Sequence, residues 1–139
     1  MNNKIIILGD VHFDVSGGNQ AILDNQLHFF NDQLFPYMQE NNIKTIIQLG
    51  DLMDNRNKVS VNVSHYLKKD FFDILKREEI ELYTLIGNHD IYHKDTREIH
   101  SLELFDEIYD NFHIINDIRT LEIQDKKLLI VPWVLPDEK

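Results

Sequence analysis

The chain has 139 residues, a length typical of about one domain, and a formal net charge of −10. It contains no cysteine, which excludes disulfides, thiolate zinc sites and cysteine nucleophiles and fits a reducing compartment. The acidic balance argues against unaided, tight binding to a nucleic-acid backbone, although bound divalent metals would offset part of that charge locally.

Residues 4–8 predict the first strand. The apolar run within it, residues 5–8, is too short for a signal peptide or a membrane span, so we expect a cytosolic protein with no membrane contact. Residues 20–41 have apolar side chains at helical spacing and predict a helix, which Pro36 should kink or restart. A second strand at residues 44–49 is almost wholly apolar at its centre, which indicates burial on both faces.

The second half of the chain continues the alternation. Ser60 is placed to cap a helix that runs to about residue 77, residues 80–86 predict the third strand, and residues 96–109 predict a further helix. The remaining predicted strands cover residues 113–115, 121–123 and 128–134, and a turn near Asp125 and Lys126 joins the last two. Alternating strands and helices predict an α/β fold with a largely parallel central sheet.

Three predicted strands end in the same way, with an apolar run followed by a cluster of side chains that can bind metal. The clusters are Gly9-Asp10-Val11-His12, Gly50-Asp51-Leu52-Met53-Asp54 and Gly87-Asn88-His89-Asp90. Ligands of open α/β sheets bind just beyond the carboxyl ends of the strands, so all three clusters should meet at one edge of the sheet. A glycine before each cluster lets the backbone turn sharply and pass close to a ligand.

The residue types in these clusters suit divalent cations. An extended segment from Asp10 to His12 would put the carboxylate and the imidazole on the same side, within reach of one cation. Asp51 has two oxygens and can bridge two cations, and Asn88 offers a neutral amide oxygen. This donor set suits Mn, Mg, Fe or Zn, with no thiolate to select zinc. Each cluster alone is a common turn sequence, and only the three together indicate a metal site.

Together the clusters resemble the first three signatures of the calcineurin-like metallophosphoesterases, and the resemblance covers nearly the whole chain. Within that superfamily the chain is most similar to the double-strand-break repair nucleases, which include the bacterial SbcD type and phage recombination endonuclease subunits. Two features point to that branch. The helical stretch after Asp54 has the length of that family's dimerisation helices, and the last predicted strand runs into Pro132-Trp133, which resembles the Pro-aromatic ending seen there.

This resemblance implies a sandwich of mixed, largely parallel sheets flanked by helices. Residues 1–139 would form its N-terminal portion, one domain that is incomplete at its C-terminal end. The resemblance also implies two divalent metal ions, most simply Mn. Asp10 and His12 would bind the first metal, Asp51 would bridge the two, and Asn88 would bind the second.

The implied reaction is hydrolysis of DNA phosphodiesters, as an exonuclease or endonuclease, by activated water. His89 would lie over the scissile phosphate and stabilise or protonate the leaving group, and Asp90 would orient His89. The implied partners are DNA, an SMC-like ATPase subunit and a second copy of the chain, paired through helices after Asp54. The setting would be the cytosol of a bacterium or of a phage-infected host.

At the carboxyl end the chain departs from the family pattern. The family supplies further histidines from a Gly-His and a later Gly-His-x-His, and neither motif follows Trp133. We therefore expect residues 1–139 alone to bind metal weakly and to be essentially inactive. The histidines in predicted helices or strands are expected to be solvated or packed side chains: His28, His65, His100 and His113.

Three further residues near the clusters have open roles. His93 follows His89 by four residues and could touch substrate or metal, although a solvated histidine is the simpler interpretation. Asp54 and Arg56 could support the metal site or face phosphate, or could belong to a solvated loop.

Two alternatives to a nuclease subunit stay open. The first is a phosphomonoesterase or cyclic-nucleotide phosphodiesterase on the same scaffold, which the acidic charge favours. The second is a non-catalytic fragment that serves assembly, which the missing histidines favour.

Overall fold

A computed structural model describes residues 3–93, 97 and 100–139. Its main sheet contains four parallel strands in chain order: Ile6–Leu8 (β1), Thr45–Gln48 (β2), Glu81–Leu85 (β3) and Phe112–Ile115 (β4). The prediction of an α/β fold with a largely parallel sheet is confirmed. The burial predicted for β2 is also confirmed, because its neighbouring residues Ile46 and Ile47 point to opposite faces and both are buried.

The helices cover one face of this sheet and a hairpin covers the other. Right-handed crossovers between parallel strands in chain order place every connecting helix on the same side. Ile46 and Leu82 accordingly belong to the larger apolar core with the helices. Ile47 and Leu85 belong to a smaller apolar cluster that includes Ile123 of the hairpin. The loops that follow the carboxyl ends of the strands carry the three polar clusters.

The first predicted helix is present and continuous, although its middle is not α-helical. It consists of Gln20–His28 (α1), a π-helical turn at Phe29–Leu34 and Phe35–Glu40 (α2). The backbone N–H of Phe35 donates to the carbonyl of Phe30, five residues earlier. Pro36 follows at the start of α2 and has no N–H to donate, so the regular helix restarts there, as predicted.

The second predicted helix has the same construction and runs to Arg77 as expected. It consists of Val61–Leu67 (α3), a π-helical turn at Lys68–Phe72 and Asp73–Arg77 (α4). Ser60 occupies the capping position, but its hydroxyl donates to the buried carboxylate of Asp14 and makes no capping hydrogen bond. Asn31 joins the two π-helical turns, because its side-chain amide donates to the carbonyls of Leu27 and Asp70, each at 2.9 Å.

The prediction of a helix over residues 96–109 is wrong for most of the described part. A short helix covers only Glu103–Asp106 (α5), and positions 96, 98 and 99 lie outside the described residues. The backbone of His100 instead forms an antiparallel bridge with Ile91, and the N–H of Ser101 donates to Asp90. These bonds tie the segment to the loop after β3. No helix in the described part of the chain is long and apolar enough to cross a membrane.

The final strands form an antiparallel hairpin of Arg119–Ile123 (β5) and Lys126–Ile130 (β6). Its turn lies at Gln124 and Asp125, one residue earlier than predicted, and both have positive φ, as two-residue hairpin turns require. The predicted strand over residues 128–134 ends early, at Ile130. Pro132 cannot donate a ladder hydrogen bond, and the N–H of Trp133 binds the carbonyl of Ile86 at 2.8 Å.

A buried arginine fastens the segment after this hairpin. The Nε of Arg97 donates to the carbonyl of Asn116, and one Nη donates to the carbonyl of Trp133 at 2.6 Å. The same guanidinium pairs with the carboxylate of Glu138, and these hydrogen bonds lower the pKa of Glu138 to about 2. Arg97 therefore holds the backbone of Trp133 against the end of β4. Neither the composition nor any motif of the sequence identifies Arg97 as a structural residue.

We expect Arg97→Met to lower the free energy of unfolding by about 1–3 kcal/mol, because carbonyls of Asn116 and Trp133 lose their donor. Arg119→Met is the matched control. Its side chain is 40% exposed, against 8% for Arg97, and an exposed pair with Asp117 contributes less than about 1 kcal/mol. Urea denaturation of both variants measures the difference. Equal losses would show that the arginine clamp is not a structural element.

Candidate metal centre

The three polar clusters meet beyond the carboxyl ends of neighbouring parallel strands. Asp10 and His12 follow β1, Asp51 follows β2, and Asn88 follows β3. One ligand atom each of Asp10, His12 and Asp51 lies within 4.8 Å of the others. Asn88 lines the same cavity as Asp10 and Asp51, a space of about 410 Å³. The structure thus brings together the four residues that the sequence suggested as metal ligands.

A second group of donors shares one member with the first. Ligand atoms of His12, Asp54 and His89 also lie within 4.8 Å of one another. The sequence leaves the role of Asp54 open, because nothing in its spacing distinguishes a ligand from a loop carboxylate. The imidazole of His12 lies between two carboxylates, 3.6 Å from Asp10 and 3.2 Å from Asp54.

The backbone of these loops is left-handed where the side chains converge. His12 has φ 54° and Asp51 has φ 52°. The expectation that an extended backbone aligns Asp10 with His12 is therefore wrong. The N–H of His12 donates to the carbonyl of Asp51 at 3.0 Å, and Phe13 and Met53 form a parallel bridge beyond the sheet. These bonds hold conformations that cost of order 1 kcal/mol each for residues other than glycine.

A buried glutamine ties the first two loops together. Gln48, the last residue of β2, has no solvent exposure. Its side-chain NH₂ donates to the carbonyls of Gly9 at 3.0 Å and Gly50 at 2.5 Å, and its carbonyl accepts from the N–H of Gly50. Because Gly9 precedes Asp10 and Gly50 precedes Asp51, this one amide fixes the spacing of both ligand loops. A glutamine inside an otherwise apolar strand was the only sequence signal for it.

Asp90 binds backbone groups of two loops. Its carboxylate is fully buried and accepts from the N–H groups of Gly87 at 2.8 Å, Asp51 at 2.9 Å and Met53 at 3.3 Å. Burial raises the pKa of Asp90 to about 6, although these hydrogen bonds oppose the rise. The predicted orientation of His89 by Asp90 does not match these contacts, because the Asp90 carboxylate is used to join the loops after β2 and β3.

His89 is held by the second cluster. Its backbone N–H donates to the carboxylate of Asp51 at 2.9 Å, and its ring Nδ1 lies 2.9 Å from the carbonyl oxygen of Asp54. A carbonyl only accepts, so this contact places the ring proton on Nδ1 and leaves Nε2 as the unprotonated nitrogen. The rings of His12 and His89 meet edge to face, 5.0 Å apart. The carbonyl of Asp54 thus takes the orienting role expected of Asp90.

The remaining histidines lie away from this centre. His93 is exposed and packs against Tyr92, and it belongs to neither donor group found among the described residues. His28 pairs with Asp32 on the helix surface. The others that the sequence set aside are exposed or packed, as expected: His65 beside Tyr66, His100 in its bridge to Ile91, and His113 on Tyr83 and Glu81.

The chemistry of these donors fits divalent cations. Carboxylate oxygens and imidazole nitrogens converge in two groups that share His12, and no thiolate is present. The Nδ1 atom of His12 is buried and makes no hydrogen bond within the described protein, despite lying 3.2 Å from the Asp54 carboxylate. A buried nitrogen that has no hydrogen-bond partner and lies beside a carboxylate is consistent with a site that takes a further ligand.

Comparisons with known proteins agree with this geometry. The family model for calcineurin-like phosphoesterases matches residues 3–133. Exonuclease subunit 1 of Enterobacteria phage T4 is 28% identical over 132 residues, which cover 94% of this chain and 38% of that protein. The crystal structure of the Pseudomonas putida nuclease MPE is similar in fold, with a TM-score of 0.55 and 15% identity over 85% of this chain and 50% of that chain. The chain thus spans half or less of either relative.

Proposed function

Because this chain belongs to the calcineurin-like phosphoesterase family, we propose that it carries the metal centre of a DNA nuclease, a subunit of a recombination or repair complex that hydrolyses phosphodiesters. The observation that carries the proposal is the convergence of Asp10, His12 and Asp51 at the carboxyl edge of the sheet, beside the cavity that Asn88 also lines. A relative that is an exonuclease subunit supports the choice of substrate and the role as a subunit.

We assign Asp10 and His12 to a first divalent cation, Asn88 to a second, and Asp51 to both. Bound cations, most simply Mn²⁺, supply activation of a water molecule and neutralisation of charge on the phosphate. The protein's own contribution is to fix these donors: Gln48 sets the spacing of the first two loops, and Asp90 joins the second loop to the third.

His89 acts on the leaving group in this proposal. Its Nδ1–H is bound to the carbonyl of Asp54, so the tautomer is set and Nε2 is left to exchange a proton with the departing oxygen. A proton on Nε2 in addition to that on Nδ1 would also supply a positive charge beside the phosphate. Asp54 and Asp51 hold the residue through its ring and its backbone, so the imidazole does not depend on substrate for its orientation.

The resemblance to the repair nucleases also suggests binding partners for this chain. We propose a homodimer that pairs through the helix after Asp54, an SMC-like ATPase as the second subunit, and action in the cytosol of a bacterium or phage-infected host. Val61 at the start of α3 is 86% exposed, and Leu104 of α5, which lines the same surface cavity, is 52% exposed. Apolar side chains this exposed on one surface support a docking role.

A second candidate is hydrolysis of small phosphate esters on the same scaffold. The net charge of −10 favours it, because a long DNA backbone is repelled more strongly than a small ester.

The test compares the substrates on the full-length gene product. We expect linear DNA to be degraded only when Mn²⁺ or a similar cation is present, and Asp51→Asn to remove both the activity and tight Mn²⁺ binding in calorimetry. Asp24→Asn, an exposed carboxylate on α1, should change neither. Rapid hydrolysis of phosphomonoesters or cyclic nucleotides with no action on DNA would favour the second candidate and contradict the first.

A further inference from the structure

A second cavity lies beside the candidate metal centre and shares a wall with it. It has a volume of about 390 Å³ and is lined by Arg56, Asn88, Ile91, Trp133, Val134 and Pro136 among others. Asn88 and Trp133 also line the cavity that contains Asp10 and Asp51. A ligand that enters the second cavity is therefore adjacent to the group bound at the metals, and the volume suits a single nucleotide.

The tryptophan in the shared wall is exposed and stands on a backbone held by hydrogen bonds. Trp133 is 46% exposed, although it is the largest apolar residue in the sequence and its only tryptophan. Its backbone is fixed at both ends: the N–H donates to Ile86 at 2.8 Å, and the carbonyl accepts from Arg97 at 2.6 Å. A rigid backbone that presents an exposed aromatic ring is the arrangement on which nucleobases stack.

Arg56 adds a positive charge to the same cavity. It is half-buried, and it makes no hydrogen bond or ion pair with any residue in the described part of the chain. The chain has 24 acidic and 14 basic residues, and none of the described carboxylates pairs with this guanidinium. Arg matches phosphate oxygens with two parallel N–H donors, so this cavity offers a face for a base and a charge for a phosphate.

We propose that this second cavity binds the nucleotide next to the scissile phosphate in single-stranded DNA, with its base stacked on Trp133 and its far phosphate on Arg56. The inference rests on the proposed nuclease function and adds that the DNA substrate is single-stranded. A base free to stack must be unpaired, so the subsite favours a single strand or a frayed end over an intact duplex. Trp133 and Arg56 are then binding residues that place the neighbouring phosphate at the metals.

The single tryptophan supplies a direct readout that does not depend on turnover. With Mg²⁺ present, a short phosphorothioate-linked oligothymidylate should quench the fluorescence of Trp133, measured as the difference between the full-length gene product and its Trp133→Phe variant. An abasic oligomer of the same length should quench it much less, because it keeps the phosphates and lacks the bases. Equal quenching by both oligomers, or none by either, would overturn the stacking assignment.

Variants separate the base contact from the phosphate contact. Measured with a labelled oligonucleotide, Trp133→Ala should weaken binding about five- to a hundredfold, and Trp133→Phe should restore most of it. Arg56→Ala should lower the slope of log Kd against log salt by about 0.7, the value for one phosphate on a single strand. Lys58→Ala, an exposed cation two residues away, is the matched control and should leave the slope unchanged. Unchanged binding in Trp133→Ala would contradict the proposal.

Hydrolysis distinguishes failure of the subsite from failure of the proposed function. The full-length gene product should cleave base-bearing single strands with a lower KM than abasic strands. Trp133→Ala should remove that preference in KM, and Lys58→Ala should keep it. A protein that cleaves both strands with equal KM before mutation contradicts the subsite alone. A protein that cleaves neither contradicts the nuclease function on which the subsite rests.

Discussion

Replacing His89 by alanine is expected to reduce DNA cleavage by about a hundredfold to ten-thousandfold, the range typical of a lost general acid. Binding of Mn²⁺ should change little. The reason is that Nδ1–H of His89 is bound to the carbonyl of Asp54, so in this proposal the proton given to the leaving group is a second proton, carried on Nε2. Turnover of linear DNA and calorimetric titration with Mn²⁺ measure the two quantities on the same preparation.

This experiment is informative because His89 also lies within 4.8 Å of His12 and Asp54. If His89 is a metal ligand, the alanine variant loses Mn²⁺ affinity together with activity. His93→Ala is the matched control, since His93 is an exposed histidine four residues away and should be dispensable for both. A loss of metal binding in the His89 variant would overturn its assignment to the leaving group.

Adding a single methyl group at Gly87 is expected to disrupt the metal centre. A Cβ there would meet the Asp51 carboxylate oxygen at 2.1 Å and the Asp51 backbone nitrogen at 2.5 Å. The contacted nitrogen is backbone and is held by Asp90, so it cannot turn away as a flexible side chain could. Gly87→Ala must displace one of the two loops, and we expect a loss of about 1–3 kcal/mol in stability with loss of tight Mn²⁺ binding.

Gly9 offers the control for this substitution. It precedes the first cluster as Gly87 precedes the third, yet a Cβ built on it meets no atom within 4 Å and its φ is not positive. Gly9→Ala should therefore keep wild-type stability and metal affinity. Thermal melting with and without Mn²⁺ compares the two variants. If both melt alike and both bind Mn²⁺, the close packing of Gly87 on Asp51 is not needed for the site.

The three glycines show where sequence reasoning was sufficient and where it was not. Glycine before each cluster suggested one common reason. Of the three, only Gly50 has a left-handed backbone, with φ 108°, and only at Gly87 would a Cβ come within 3.0 Å of another atom. Spacing along a chain marks where a turn is needed. Which atoms then meet depends on the neighbouring strand, and a single sequence does not contain that information.

The same distinction applies to the polar residues of the centre. The positions of Asp10, Asp51 and Asn88 around one cavity could be predicted, because parallel strands bring their carboxyl ends to the same edge. The partners of Asp90, the amide bridge of Gln48 and the clamp of Arg97 could not be predicted. Each is a contact between a side chain and the backbone of a segment distant along the chain, and such contacts leave no periodic signal.

The helical prediction failed over residues 96–109 for a related reason. Leu102 and Phe105 are both buried, so the apolar spacing that suggested a helix is real, but it belongs to one short turn of α5. The hydrogen bonds of His100 and Ser101 to the loop after β3 compete with helix formation before that turn. Tertiary contacts thus override a local pattern that is too short to hold a helix alone.

The two π-helical turns determine how either helix could become one residue shorter. Each closes its hydrogen bonds over five residues, so each helix carries one residue more than a regular helix of the same rise. Deleting that residue would let the segment close as a regular α-helix of the same rise, with Met38 or Leu75 still facing the core. Asn31 of the first turn donates to the carbonyl of Asp70 in the second, so a deletion that removed either π-helical turn would change the contact that joins the two helices.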